Sequence, residues 1–195
     1  MELLPEALAT LKKTKKYIGI EGDDSSMDEL LIMFINASSA EIAGFCKRAF
    51  KLDSYAEYHR GTGGRRLPVD NYPIISVESV KIGDVLLSPE QYRCKDKAGI
   101  LEYTPCWPKE KEIEVEYVAG YVLPYDATDD EEEIPPQTLP ADIEMACMEL
   151  VSITYNRRGS EHLTIEVIGS LRSEFVQGMP QHIQSILSRY RKPVI

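Results

Sequence analysis

One tryptophan, three histidines and four cysteines are all that 195 residues offer in the way of scarce, reactive side chains. His59, His162 and His182 have no second ligand at helical or hairpin spacing, so structural or surface roles are expected and a metal site is not. Cys46, Cys94, Cys106 and Cys147 form no CxxC pair. In a chain of this length without a secretion signal they are expected as free thiols. GxSxG, HExxH and GxxxxGK[ST] are missing, which removes the commonest hydrolase, metalloprotease and nucleotide-binding signatures. No apolar run approaches the roughly 20 residues that cross a bilayer, and Glu2 and Glu6 stand where a signal peptide would be basic. Positive charge is also short: 22 Lys and Arg face 32 Asp and Glu, for a formal charge of −10. A protein that reads nucleic-acid sequence needs basic surface to displace counterions from phosphate. The expectation is a soluble protein with no cofactor, no metal and no membrane partner.

What is present begins with Leu67–Leu87, LPVDNYPIISVESVKIGDVLL, rich in β-branched residues and bracketed by Pro73 and the Gly83-Asp84 pair. Ile75 and Val77 share one parity, Val80 and Ile82 the other. A side-chain period of two cannot hold both sets on one face, so a bulge is predicted near Glu78–Ser79. Gly83-Asp84 supplies a tight hairpin turn. Ser54–Arg60, Gln91–Lys95, Gly99–Tyr103 and Glu112–Ala119 read as further strands. In the last, Ile113, Val115 and Tyr117 alternate with Glu112, Glu114 and Glu116, which predicts one buried face and one acidic ladder in water.

Helical patterns lie on both sides. Pro5–Tyr17 reads as a short basic helix stopped by Gly19. A capping-box pattern at Ser26 and Glu29 opens a longer helix with Met27, Leu31, Phe34, Ser38, Ile42, Phe45 and Ala49 on its apolar side. Another helix opens at Pro140, with Ile143, Ala146, Cys147, Leu150 and Ile153 inward, and is closed by Gly159. A last one follows Pro180, with Ile183, Ile186, Leu187 and Tyr190 inward. Leu163, Ile165 and Val167 alternate as a short strand able to pair with a neighbouring molecule.

Each helical wing is near the size below which a core rarely suffices alone. The predicted fold is therefore α+β: an antiparallel helical bundle made from residues 1–52 and 139–195, with a small antiparallel β module, a meander or partial barrel, inserted at 53–120. Residues 121–138, with Pro124, Pro135 and Pro136 around Asp129-Asp130-Glu131-Glu132-Glu133 and Pro140 just beyond, read as an exposed acidic linker or mobile loop.

Few groups converge on chemistry. Gly61–Gly64 followed by Arg65-Arg66, with His59 nearby, could cradle a phosphate, although a β-turn explains the same residues. The acidic run at 129–133 lacks the glycine of a calcium loop. Glu114 and Glu116 need only a regular strand to explain them.

Leu11–Phe50, LPVDNYPIISVESVKI, EYVAGYVLP at Glu116–Pro124, and LPADIEMACMELVSITYNRR at Leu139–Arg158 resemble the head-tail connector (adaptor or head-completion) proteins of tailed bacteriophages, in a longer form with a β insert. The matching features are the D-x-x-L-x-x-x-I-x-x-A-S spacing of Asp28–Ser38, Arg48-Ala49-Phe50, Tyr72-Pro73-Ile74-Ile75-Ser76-Val77, Ala119-Gly120-Tyr121 and the proline-opened helix. The resemblance implies a non-enzymatic virion protein at the neck, assembled in the bacterial cytoplasm. It would form a ring of about twelve copies on the portal after packaging and present a platform to a downstream neck or tail protein. DNA would pass through without sequence-specific binding. On this basis Arg189, Tyr190, Arg191 and Lys192 are expected on the portal side, Leu163, Ile165 and Val167 against a neighbouring subunit, and Glu131, Glu132 and Glu133 in a mobile acidic loop. Another neck or tail-terminator ring, or a phosphate-binding enzyme using Gly61–Arg66, are the alternatives.

Overall fold

The computed structural model describes residues 2–21, 24–125, 136–158, 165–168, 171–174 and 178–192, with backbone alone for 165–168 and 171–174. Among the described residues there are four α-helices and nine strands: α1 (Leu11–Ile18), α2 (Asp28–Cys46), β1 (Asp53–Arg60), β2 (Arg66–Pro68), β3 (Ile74–Ile82), β4 (Val85–Leu86), β5 (Tyr92–Lys95), β6 (Ile100–Tyr103), β7 (Glu112–Ala119), α3 (Ala141–Asn156), β8 (Ile165–Ile168), β9 (Leu171–Glu174) and α4 (Gln181–Ser188). The fold is α+β. Its contacts divide it into a helical unit (Met1–Cys46, Pro124–Ile134, Leu139–Arg191) and a β unit (Lys47–Leu123, Pro135–Thr138, Lys192–Ile195).

In the helical unit α1 packs on α2 and α3, and α4 on α2 and α3. Helix α1 starts at Leu11 and not at Pro5, because the Thr10 side chain caps it by accepting the Lys13 amide at 3.2 Å. Gly19 stops it, in the left-handed region. The buried stripe of α2 is Leu31, Ile35, Ser38, Ser39, Ile42 and Cys46. It is thus rotated from the expected one: Ile35 and Cys46 go inward while Phe34 and Phe45 are half-buried. Ser39 explains the rotation. Its hydroxyl accepts the Leu8 amide at 2.9 Å, donates to the Ile35 carbonyl at 2.7 Å and lies 3.6 Å from Cys147 Sγ, so a polar group sits in the core fully satisfied. Helix α2 is long and apolar enough to span a bilayer by length and composition. Its contacts with the other three helices make it the core helix of this unit. Ile143, Ala146, Cys147 and Leu150 of α3 and Ile183 and Leu187 of α4 complete the core as expected, whereas Ile153, Ile186 and Tyr190 are only half-buried. Each fully buried Leu or Ile contributes about 1.5–3 kcal/mol.

The β unit has a four-stranded antiparallel sheet in the order β1-β7-β3-β4 and a three-stranded one in the order β2-β6-β5. Chain order is broken in both, since β7 returns to lie between β1 and β3. Alternation along β7 buries Ile113, Val115, Tyr117 and Ala119 completely. They share one core with Leu67, Leu101, Val80 and Trp107, so both sheets close over the same apolar side chains. The outward glutamates are not a bare acidic ladder. Glu114 receives Lys81 Nζ at 3.0 Å and the Tyr58 hydroxyl at 3.2 Å, and Glu116 receives the Ser79 hydroxyl at 2.7 Å. Lys81 neutralises Glu114, and the two hydroxyls hydrogen-bond the carboxylates, which together ease the repulsion of like charges along one strand.

The parity conflict in β3 is resolved by the predicted bulge and by a second one. The register with β7 shifts between Val77 and Ser79, and also between Ile74 and Ser76. The second shift turns Ile75 out to 63% exposure while Ile74 and Val80 are buried. Gly83 has a φ of 59° and turns β3 into β4. Strand β8 finds its partner within the chain, pairing with β9 from Ile165↔Glu174 to Ile168↔Leu171.

Candidate functional site

The glycine-rich turn after β1 is the first place to look for a ligand. Its amides are already engaged: Gly61 N–H donates to Lys111 O at 2.8 Å, Gly63 N–H to Trp107 O at 3.1 Å and Gly64 N–H to Thr62 Oγ1 at 3.3 Å. A Cβ on Gly61 would stand 1.9 Å from Pro108 O. Glycine is needed here so that two backbone segments can touch, and the amides that would cradle a phosphate are spent on the protein itself. His59 Nε2 lies 2.8 Å from Glu57 Oε2 and His182 Nε2 lies 2.6 Å from Glu149 Oε1. His162 lies outside the described residues. No group of three His, Cys, Asp or Glu able to hold a metal occurs among the described residues.

The basic C-terminal stretch is largely tied down. Arg189 Nη2 donates to Asp142 Oδ2 at 2.9 Å, and the Tyr190 hydroxyl lies 2.8 and 2.9 Å from the two Asp142 oxygens. Asp142 is in the first turn of α3, where the helix dipole favours a carboxylate, so one acid serves both the dipole and the two side chains. The Arg191 guanidinium stands 5.6 Å from the Phe45 ring centre, and Lys192 pairs with Asp70. Ile165 and Val167 lie on β8, with only their backbone described, and Leu163, Glu131, Glu132 and Glu133 lie outside the described residues.

Arg48, met in sequence as part of Arg48-Ala49-Phe50, is 6% exposed. Its guanidinium lies 3.6 Å from the centre of the Tyr72 ring and 4.9 Å from that of Phe50, while Nε donates to the Ala49 carbonyl at 3.2 Å. Nη1 and Nη2 have no hydrogen-bond partner. Aromatic faces hold this cation, an arrangement worth more as water is excluded.

Two features were not visible in sequence. One is a polar cluster under β1: Glu57 accepts the Tyr117 hydroxyl, the Asp70 amide at 3.0 and 3.1 Å and His59. Burial raises the Glu57 pKa, but the hydrogen bonds from His59, Tyr117 and Asp70 together outweigh it and leave the carboxyl below its ordinary value. Burial, then the bond to Glu57, pushes the Tyr117 phenol up. The other is a basic face on the small sheet. Strand register places Arg66 and Arg93 on either side of Glu102 in one row. Glu102 Oε1 takes Lys95 Nζ at 2.7 Å and Arg66 Nε at 3.1 Å. Beside this row is an open cleft of about 680 Å³ that includes Arg65, Glu90 and Tyr103 in its wall. Sequence separations of 36 and 9 residues hide such a row, and only strand pairing assembles it.

The chain belongs to the head completion protein family, whose model matches residues 7–193. It is therefore a structural virion protein of the head-to-tail connection. No curated protein matches the chain. Solved structures do. A chain in the virion of a native gene transfer agent (GTA) particle has a TM-score of 0.61 and 17% identity. One in the neck of an empty GTA particle, computed with C6 symmetry, has 0.60 and 15%. A third, in the neck of the native GTA particle computed with C12 symmetry, has 0.58 and 15%. Each match covers 100% of this chain and 94% of the other. At such identity the likeness establishes a shared fold.

Proposed function

We propose that this chain is the repeating subunit of a ring at the virion neck, one that docks on the portal after DNA packaging and extends the exit channel toward the tail. The observation that carries this is the end-to-end fold match to chains of a particle neck, together with family membership. The C12 symmetry of one of those necks supports about twelve copies, joined head to tail through a closing heterologous interface. The subunit's work is then mechanical, with no reaction to catalyse. Assembly takes place in the bacterial cytoplasm, and a further neck or tail protein binds the free side of the ring.

On this reading an acidic channel wall repels DNA phosphates and lets the genome slide, an effect confined to the roughly 8 Å Debye length at physiological salt. Arg189, Tyr190, Arg191 and Lys192 lie toward the portal, and β8 with Ile165 and Val167 lies toward the neighbouring subunit. Negative-stain microscopy of the protein mixed with its portal tests the proposal. Stacked rings on the portal's symmetry are the expected result, and portal particles that stay bare would overturn it. Deletion of Lys192–Ile195 tests the portal side separately: weakened portal binding is expected, and unchanged binding would reject that assignment.

A further inference from the structure

The negative charge of the chain is unevenly divided. The helical unit holds nine Lys and Arg against twenty Asp and Glu, and the β unit thirteen against twelve, so −11 and +1 make up the total of −10. Within the β unit four of the thirteen cations, Arg65, Arg66, Arg93 and Lys95, lie on or beside the outer face of the β2-β6-β5 sheet. Arg66, Arg93 and Lys95 there surround one carboxylate, Glu102, and Arg65 lines the adjoining cleft with Glu90 as the second acid. Arg66 and Lys95 share a single oxygen of Glu102 and keep side-chain exposures of 66% and 48%. Arg65 and Arg93 have no ion-pair partner among the described residues. A planar guanidinium fork exposed in this way is matched to carboxylates, two hydrogen bonds at a time.

We propose that this face docks the acidic run Asp129-Asp130-Glu131-Glu132-Glu133 of a second copy of the chain. The inference rests on the ring reading above and names the contact that closes it. A heterologous ring needs two different, complementary patches on every subunit. This chain supplies one sheet face on which four cations outnumber two acids, and one run of five consecutive acids elsewhere in the sequence. Duplex DNA is the rival occupant of such a face. A net charge of −10 opposes the approach of a long polyanion, whereas a neighbouring subunit delivers a short acidic segment at high effective concentration.

The test uses the full chain with its own run neutralised (Asp129→Asn, Asp130→Asn, Glu131→Gln, Glu132→Gln, Glu133→Gln) and a fluorescent peptide of residues 124–138. The peptide is expected to bind, to weaken about tenfold from low to physiological salt, and to lose at least about tenfold when Arg66→Glu and Arg93→Glu are added. Lys12→Glu and Lys16→Glu, exposed on α1, are the control and leave binding unchanged. No binding, or binding indifferent to Arg66 and Arg93, overturns the inference, as does duplex DNA binding the face where the peptide does not. Mixing the neutralised chain with an Arg66→Glu/Arg93→Glu chain is expected to give a complex in sedimentation that neither forms alone. Its absence alongside peptide binding means that the run serves its own chain, which also overturns the proposal. Normal rings from Arg66→Glu/Arg93→Glu would overturn this contact and leave the ring reading standing. A failure of wild-type rings strikes the ring reading, and the peptide still decides the contact.

Discussion

Tyr117 and Glu57 meet diagonally across the β1–β7 ladder, two register positions from a directly opposed pair, and the phenol donates to the carboxylate. The same phenol oxygen accepts the Asn71 amide at 3.0 Å, and the same carboxylate accepts the Asp70 amide. Two strands and the loop after β2 are thereby held by one pair of side chains. Tyr117→Phe leaves the buried Asn71 amide without its acceptor and is expected to lower unfolding stability by about 1–3 kcal/mol. Chemical denaturation reads this as a lower midpoint at constant slope. An unchanged midpoint would mean that the pair contributes nothing net.

Glu57 also gives the protein a pH dependence with a defined sign. Its native carboxyl titrates below the ordinary value of 4.5, so on acidification the unfolded chain takes up the proton first. The stabilisation is complete above the unfolded value and is lost as pH falls through the folded one. The stability difference between wild type and Glu57→Gln should be largest near neutrality and shrink below pH 4.5. A difference that grows on acidification contradicts the assignment.

Three glycines separate packing from propensity. A Cβ at Gly120 would lie 2.3 Å from Lys51 O, with φ at 106°, and one at Gly61 would lie 1.9 Å from Pro108 O. Backbone must move in both cases, so Gly61→Ala and Gly120→Ala should each destabilise by about 3 kcal/mol or more. Gly44 is exposed in α2 with nothing near its absent Cβ. Gly44→Ala should stabilise by about 0.5–1 kcal/mol. Thermal melts order the four proteins.

The thiols should be slow. Burial, with Asp96 adding to it, pushes the Cys94 pKa up to about 12, and burial likewise takes Cys147 to about 12. At pH near 7.5 neither should alkylate in the folded protein, and both should label once it is unfolded in guanidinium. Peptide mapping by mass spectrometry distinguishes them from Cys46 and Cys106.

Local signals were the legible part of this fold. The alternation of β7, the turn at Gly83, the Gly19 stop and the bulge at Glu78 all arise from neighbours within a few residues, where period and turn chemistry act. What stayed hidden depends on partners far along the chain. Ile35 replaces Phe34 in the α2 stripe because Ser39 must reach Leu8, Ile35 and Cys147. The order β1-β7-β3-β4 places the last strand of the β unit between earlier ones, which no local pattern specifies. The Arg66–Glu102–Arg93 row exists only after three strands have paired. The pairs that tie down Arg189 and Lys192 were hidden for the same reason, because Asp142 and Asp70 are distant in sequence.

Lys51 bridges Tyr121, and Asp53 pairs with Ala119. The strand that enters the β unit and the strand that leaves it therefore run shoulder to shoulder, about 4.8 Å apart. To the rest of the polypeptide, everything between them is equivalent to a single tight hairpin, and loop-closure entropy depends only weakly on what that hairpin carries. Enlarging, trimming or exchanging the residues between them changes that closure entropy little, which makes the doorway formed by residues 51–53 and 119–121 the natural splice point for engineered grafts.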